Sequence, residues 1–176
     1  KVLTNSDLEK LVDTSDEWIK SRVGINQRHV VADGEASSDM STKVAYSLLE
    51  KRGINATDID VIIIGTVTPD HPTPSTAAIV QNNINAENAW AFDLSAACSG
   101  FLYALETGAK FIESGQYRTI MVIGVDTMTS ILDFEDRETC IIFGDGAGGV
   151  ILEASKSNTG ILGSVLKTDG SGAESL

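Results

Sequence analysis

The stretch Trp90-Ala91-Phe92-Asp93-Leu94-Ser95-Ala96-Ala97-Cys98-Ser99-Gly100-Phe101 decides how the chain folds. Residues 89–94 read as a strand. Residues 99–114 read as a helix with Leu102, Leu105, Ala109 and Ile112 inward and Gly115 closing it. Cys98 therefore falls where a strand becomes a helix. A helix start offers unpaired N–H groups and the positive end of the helix dipole. A thiol held there is drawn toward thiolate, the nucleophilic form. Ser95, Ala96 and Ala97 are small enough to let an acyl group approach, and Gly100 is read as leaving room beside the sulfur. The competing reading is a buried structural cysteine, a common fate of this residue type.

Outward from this stretch, strands and helices alternate. Residues 59–66 and 119–125 are β-branched runs of the kind found in strands covered on both faces. Upstream, Met40, Val44, Ala45, Leu48 and Leu49 line one face of a helix capped by Ser37 or Ser38 and closed by Gly53. Pro69, Pro72 and Pro74 break the chain before a helix over 75–84. Near the start, residues 8–12 read as a short helix. Thr14 and Glu17 fit a capping box for a second helix that Gly24 ends. Residues 27–31 read as a strand by pattern, as do 161–167. Residues 139–143 and 148–154 read as an antiparallel pair joined by a glycine-rich turn. The order implies an α/β chain with a mixed, mostly parallel sheet and helices on its faces.

Composition narrows the function. The chain has 176 residues, of ordinary single-domain size. Its net charge of −12 argues against nucleic acid and anionic membrane, which need clustered Lys and Arg. No apolar run reaches membrane-spanning length. Two cysteines, Cys98 and Cys140, are too few for a disulfide scaffold, so a reducing cytoplasm is the expected compartment. The first residue is Lys1, and the last, Leu176, closes a Gly/Ser-rich run; both ends read as those of a piece of a longer chain.

Phe143-Gly144-Asp145-Gly146-Ala147-Gly148-Gly149 is not a dinucleotide fingerprint. A strand-like Val150-Ile151-Leu152 follows the glycines where a helix is required. Trp18 and Arg22, four apart, share a helix face. They could grip a heteroaromatic ring or a phosphate, or be an ordinary surface pair. Arg137 is the lone cation in the acidic loop 133–138. His29 and His71, the only histidines, carry no motif that would pair either with Cys98. No Cys/His cluster has metal-ligand spacing. Cys140 is read as core within an apolar strand.

Taken together, the motifs resemble a known family. Asp13-Thr14-Ser15-Asp16-Glu17-Trp18-Ile19, then Arg22-Val23-Gly24-Ile25 and Arg28-His29, resemble the N-terminal region of β-ketoacyl-acyl-carrier-protein synthase III. Ala96-Ala97-Cys98-Ser99-Gly100-Phe101 is similar to its nucleophile motif. Asp136-Arg137 and Ile142 to Gly148 follow in the same order. The resemblance implies a thiolase-like fold, with residues 1–176 as the N-terminal half of an α-β-α-β-α architecture, incomplete at both ends and lacking its opening strand.

It implies that Cys98 is acylated by acyl-CoA and that the acyl group condenses decarboxylatively with malonyl-acyl-carrier protein in type II fatty acid biosynthesis. Trp18 and Arg137 match the pair that sandwiches the CoA adenine. Arg22 matches a phosphate contact and Thr14 a further CoA contact. Phe143 and Met128 match positions near the thiol and acyl pocket. Thr73 stands where some members carry Phe at the pocket end near the dimer partner, which implies a longer or branched primer. No cofactor is implied, because the CoA thioester is a substrate. The partners implied are acyl-CoA, malonyl-acyl-carrier protein and a second copy of the chain. The family's catalytic His and Asn, and its basic carrier-protein docking face, are expected past Leu176, so this chain alone should not complete the reaction. The alternatives are another acyl-CoA condensing enzyme of polyketide, alkylquinolone or hydroxymethylglutaryl-CoA type, a non-catalytic acyl- or CoA-binding half, or a structural subunit with a buried thiol.

Overall fold

The computed structural model describes residues 1–157 and 159–175; Asn158 and Leu176, the end of the glycine- and serine-rich run, lie outside the described residues. Four strands form the central sheet: β3 (Val61–Gly65), β4 (Trp90–Leu94), β5 (Thr119–Thr127) and β6 (Asp145–Glu153), in the order β4-β3-β5-β6. A separate two-stranded sheet pairs β1 (Val2–Thr4) with β2 (Gln27–His29). The first three strands of the central sheet run parallel and β6 is antiparallel to β5, giving the mixed, mostly parallel sheet expected.

The buried runs explain this layering. Along β3, Ile62 and Ile64 face α3 (Ser37–Arg52) and α4 (Thr76–Asn83), in a core with Ala45, Leu49, Ala77, Val80, Met121 and Ile123. Val61 and Ile63 face α5 (Gly100–Glu113), with Ala104, Ile120 and Val122. Successive side chains point to opposite faces of a strand, so a strand covered on both sides must be apolar at every position. A third cluster stands apart. Leu3, Leu8, Ile19, Cys140 and Ile141 join β1 to three short helices, α1 (Asn5–Leu8), α2 (Asp16–Val23) and α6 (Arg137–Cys140).

Several expectations are corrected. Residues 2–4 are a strand and the first helix is Asn5–Leu8, because Thr4 caps it by accepting from the Asp7 N–H. The cap of α2 is Ser15, not Thr14; the Ser15 hydroxyl accepts from the Trp18 N–H. Residues 139–143 are not a strand. Asp136 accepts from the Glu138 N–H and the Thr139 hydroxyl and starts the helical turn of α6, overriding the β preference of Ile141 and Ile142. The glycine run is not a turn but the first half of β6, so the antiparallel pair is β5 with β6.

Residues 161–167 form no strand; Leu162 and Val165 are over four-fifths exposed and no strand of the sheet lies beside them. In α5 Gly100, Ala104 and Gly108 are buried and Ile112 packs inward as expected, while Leu102 is exposed. No helix among the described residues is long and apolar enough to cross a membrane.

Candidate active site

Cys98 lies in a single 3-10 turn, Ala97–Ser99, that feeds directly into α5. The thiol is exposed. Ala97 adopts a left-handed backbone, φ +46°, unusual for a residue with a Cβ. Such strain, on the order of 1–3 kcal/mol, persists only where the surroundings enforce it. They do so here through glycine. A Cβ on Gly65, the last residue of β3, would lie 2.8 Å from the Gly100 carbonyl carbon. Gly100 therefore serves the close approach of α5 to β3 rather than making room beside the sulfur. The bare Gly65–Gly100 contact lets the helix start, directly after the Cys98 turn, sit against the strand end.

The thiol opens onto a cavity of about 820 Å³. Gly65, Val67, Gly124, Val125 and Asp126 border it at the carboxyl ends of the parallel strands, the usual place for a ligand crevice in such sheets. Phe101, Met128 and Phe143 make its walls apolar. Gly146 and Gly148, which share one face by the two-residue repeat of β6, also line it, as does Gly144 just before the strand. A Cβ at Gly146 or Gly148 would meet nothing within 4 Å, so these glycines keep the space open.

Two carboxylates at this end have structural duties. Asp126 Oδ1 accepts from Val67 N at 2.8 Å, Thr68 Oγ1 at 3.0 Å and Thr66 Oγ1 at 3.2 Å, which anchors the loop after β3. Asp145 accepts from Val31 N and Thr129 N, both at 2.8 Å, and from Thr129 Oγ1 at 2.5 Å, joining three segments. Asp145 stands out in the sequence only as an aspartate inside a glycine run, and Asp126 carries no local signal. His29 and His71 are exposed and neither lines the cavity. No group of three His, Cys, Asp or Glu suited to a metal occurs among the described residues.

Trp18, Arg22 and Arg137 do come together, across 119 residues of chain. The Arg137 guanidinium lies 4.9 Å from the indole centroid and that of Arg22 5.7 Å. Arg137 Nη1 also donates to the Asp13 carbonyl at 3.2 Å. The buried Thr14 hydroxyl beside them has no hydrogen-bond partner among the described residues. Thr73 is exposed and does not line the cavity, so within one chain it does not bound the pocket. Cys140 is fully buried in the third cluster, in α6 rather than a strand. Burial, chiefly, pushes its thiol pKa up.

An α/β/α half with a cysteine at the carboxyl end of its parallel strands defines a thiolase-like protein, and known structures agree. β-Ketoacyl-[acyl carrier protein] synthase III of Thermus thermophilus superposes with a TM-score of 0.95 at 38% identity, over 99% of this chain and 54% of that one. The 3-oxoacyl-[acyl-carrier-protein] synthase III of Aquifex aeolicus gives 0.87 at 46% identity, over 89% and 51%. The family model for 3-oxoacyl-[acyl-carrier-protein (ACP)] synthase III matches residues 92–170. The β-ketoacyl-[acyl-carrier-protein] synthase III of Chlorobaculum tepidum is 58% identical over 172 residues, 97% of this chain and 52% of its own length. The chain belongs to the β-ketoacyl-acyl-carrier-protein synthase III family, and it spans about half the length of the curated relatives it matches.

Proposed function

We propose that residues 1–176 form one thiolase-like domain, the acyl-accepting half of a condensing enzyme of type II fatty acid biosynthesis, in which Cys98 takes the acyl group of an acyl-CoA. The observation that carries this reading is the exposed Cys98 thiol opening onto a largely apolar cavity of about 820 Å³. The thiolate attacks the thioester carbonyl, the C–S bond to CoA breaks, and CoA leaves as its thiol after taking up a proton. The Cys98 N–H, at the start of the helical turn, is suited to stabilise the oxyanion. The acyl chain then lies along Phe101, Met128 and Phe143, where open space at Gly146 and Gly148 supports a chain of several carbons.

Trp18 and Arg137 are the adenine clamp of this proposal, Arg22 its phosphate contact and the Thr14 hydroxyl a further contact. A flat ring held between indole and guanidinium needs about 3.5 Å on each side. They are now 4.9 Å apart, so Arg137 swings aside when the nucleotide enters. The second step, decarboxylative condensation with malonyl-acyl-carrier protein, needs groups that this cavity lacks, since neither histidine reaches it. Those groups, and the carrier-protein docking face, belong to the remaining part of the family's length. Thr73 acts in this reading only from a second subunit, on that subunit's pocket, where it would favour longer or branched primers over acetyl.

The test uses the full-length enzyme and intact-mass analysis. Wild type gains one acyl group from acyl-CoA, and Cys98→Ala gains none. Trp18→Ala and Arg137→Ala raise the primer KM about tenfold, the loss of roughly one good contact, with kcat little changed. Acylation that survives Cys98→Ala refutes the nucleophile, and an unchanged KM in both clamp variants refutes the clamp.

A further inference from the structure

The buried Arg28 has no part in the chemistry above. It is 4% exposed, and no carboxylate pairs with it among the described residues. Burying a guanidinium without an acid is costly, and an apolar side chain of similar size would commonly serve stability as well. Its hydrogen bonds show what it joins. Nη1 donates to Asn5 Oδ1 at 2.8 Å and Nη2 to the Ile141 carbonyl at 2.8 Å. Asn5 is itself 1% exposed. Its Nδ2 donates to Asp16 Oδ1 at 2.9 Å and to the Ile25 carbonyl at 2.8 Å.

The line Asp16–Asn5–Arg28–Ile141 therefore runs from the first residue of α2, two before Trp18, to the C-cap of α6, four after Arg137. It also touches the cavity wall. A Cβ on Gly144 would lie 2.8 Å from Arg28 Cβ, so only a glycine fits between β2 and the lining of the thiol pocket. The apolar cluster around it, Leu3, Leu8, Ile19, Cys140 and Ile141, gives cohesion without direction. Directed bonds from a planar fork fix where one helix sits relative to the other.

We propose that Arg28 and Asn5 are positioning residues that set the spacing of Trp18 and Arg137 and tie that pair to the wall of the Cys98 cavity. The inference rests on the CoA reading above and specifies what holds its nucleotide end.

The experiment compares two thioesters of one acyl group on the full-length enzyme: acyl-CoA, and acyl-pantetheine, which lacks the nucleotide. Arg28→Met keeps the packing and removes the bonds. It should raise the KM for acyl-CoA about tenfold while Cys98 acylation by acyl-pantetheine stays within about twofold and the melting temperature does not fall in proportion. Arg28→Lys, which can still donate, should recover part of the loss. Asp16→Ala, a change at the surface, should act in the same direction more weakly, and it carries the test if the Arg28 variants do not fold. An equal loss with both thioesters overturns the positioning role alone. A wild type with no preference for acyl-CoA overturns the clamp, and this inference with it.

Discussion

The central sheet and the small cluster around Trp18 and Arg137 are built on opposite principles. In β3 every residue is buried and apolar, and α3, α4 and α5 cover it from both sides. In the small cluster the helices have four, eight and four residues, too short to be stable by themselves. A buried polar line through Asn5 and Arg28 sets their arrangement. The sheet supplies stability and the point from which Cys98 projects. The cluster supplies a pair of cations around an indole whose spacing depends on individual hydrogen bonds. A framework held by area tolerates movement of one side chain; a pair of side chains held by direction does not.

The contrast can be broken at three places, in decreasing order of effect. Ile63→Ala removes a side chain of 0% exposure from the sheet core and should cost about 2–5 kcal/mol in urea unfolding; a loss below about 1 kcal/mol would show that the core is looser than its burial implies. Gly65→Ala forces the start of α5 away from β3, because the Cβ collides with backbone. It should cost about 1–3 kcal/mol and slow Cys98 alkylation by iodoacetamide out of proportion to stability. Alkylation at the wild-type rate would remove the role given to the Gly65–Gly100 contact.

The third is the cluster's own pH dependence. Burial raises the Cys140 thiol pKa in the folded protein above that of the unfolded chain. The folded state thus keeps a proton that the unfolded state releases above about pH 8.5, and stability falls as pH rises from there toward the folded pKa. Cys140→Val should flatten that alkaline fall relative to wild type when unfolding is followed from pH 7.5 upward. An unchanged slope would mean that Cys140 is not the group responsible.

Much of the frame was legible in the residues. The β-branched runs at 61–64 and 119–125, the closing glycines at 24 and 53, and the small residues before Cys98 each act locally, through side-chain shape or a positive φ. The resemblance implies one site for Trp18 and Arg137, and the fold brings the two side chains together. What misled were local preferences that lost to a stronger neighbour. Asp136 capped a turn where Ile141 and Ile142 favoured a strand. The glycines between residues 143 and 148 favour a turn because glycine usually breaks a strand, yet from Asp145 onward the chain is strand because β5 offers nine partners in register. Leu102 reads as inward by its type, yet the closest approach of α5 to the sheet is made at Gly100, Ala104 and Gly108, residues small enough for it, with Phe101 and Ile112 packed beside them.

The order of elements, the buried strands and the place of Cys98 where a strand gives way to a helix were fixed by the chain itself, because they depend on contacts between near neighbours and on which residues avoid water. The cavity beside that thiol, the left-handed Ala97 and the Asp16–Asn5–Arg28–Ile141 line were decided only on folding. Each depends on atoms far apart in sequence meeting within a few tenths of an ångström, and no local preference encodes such a distance.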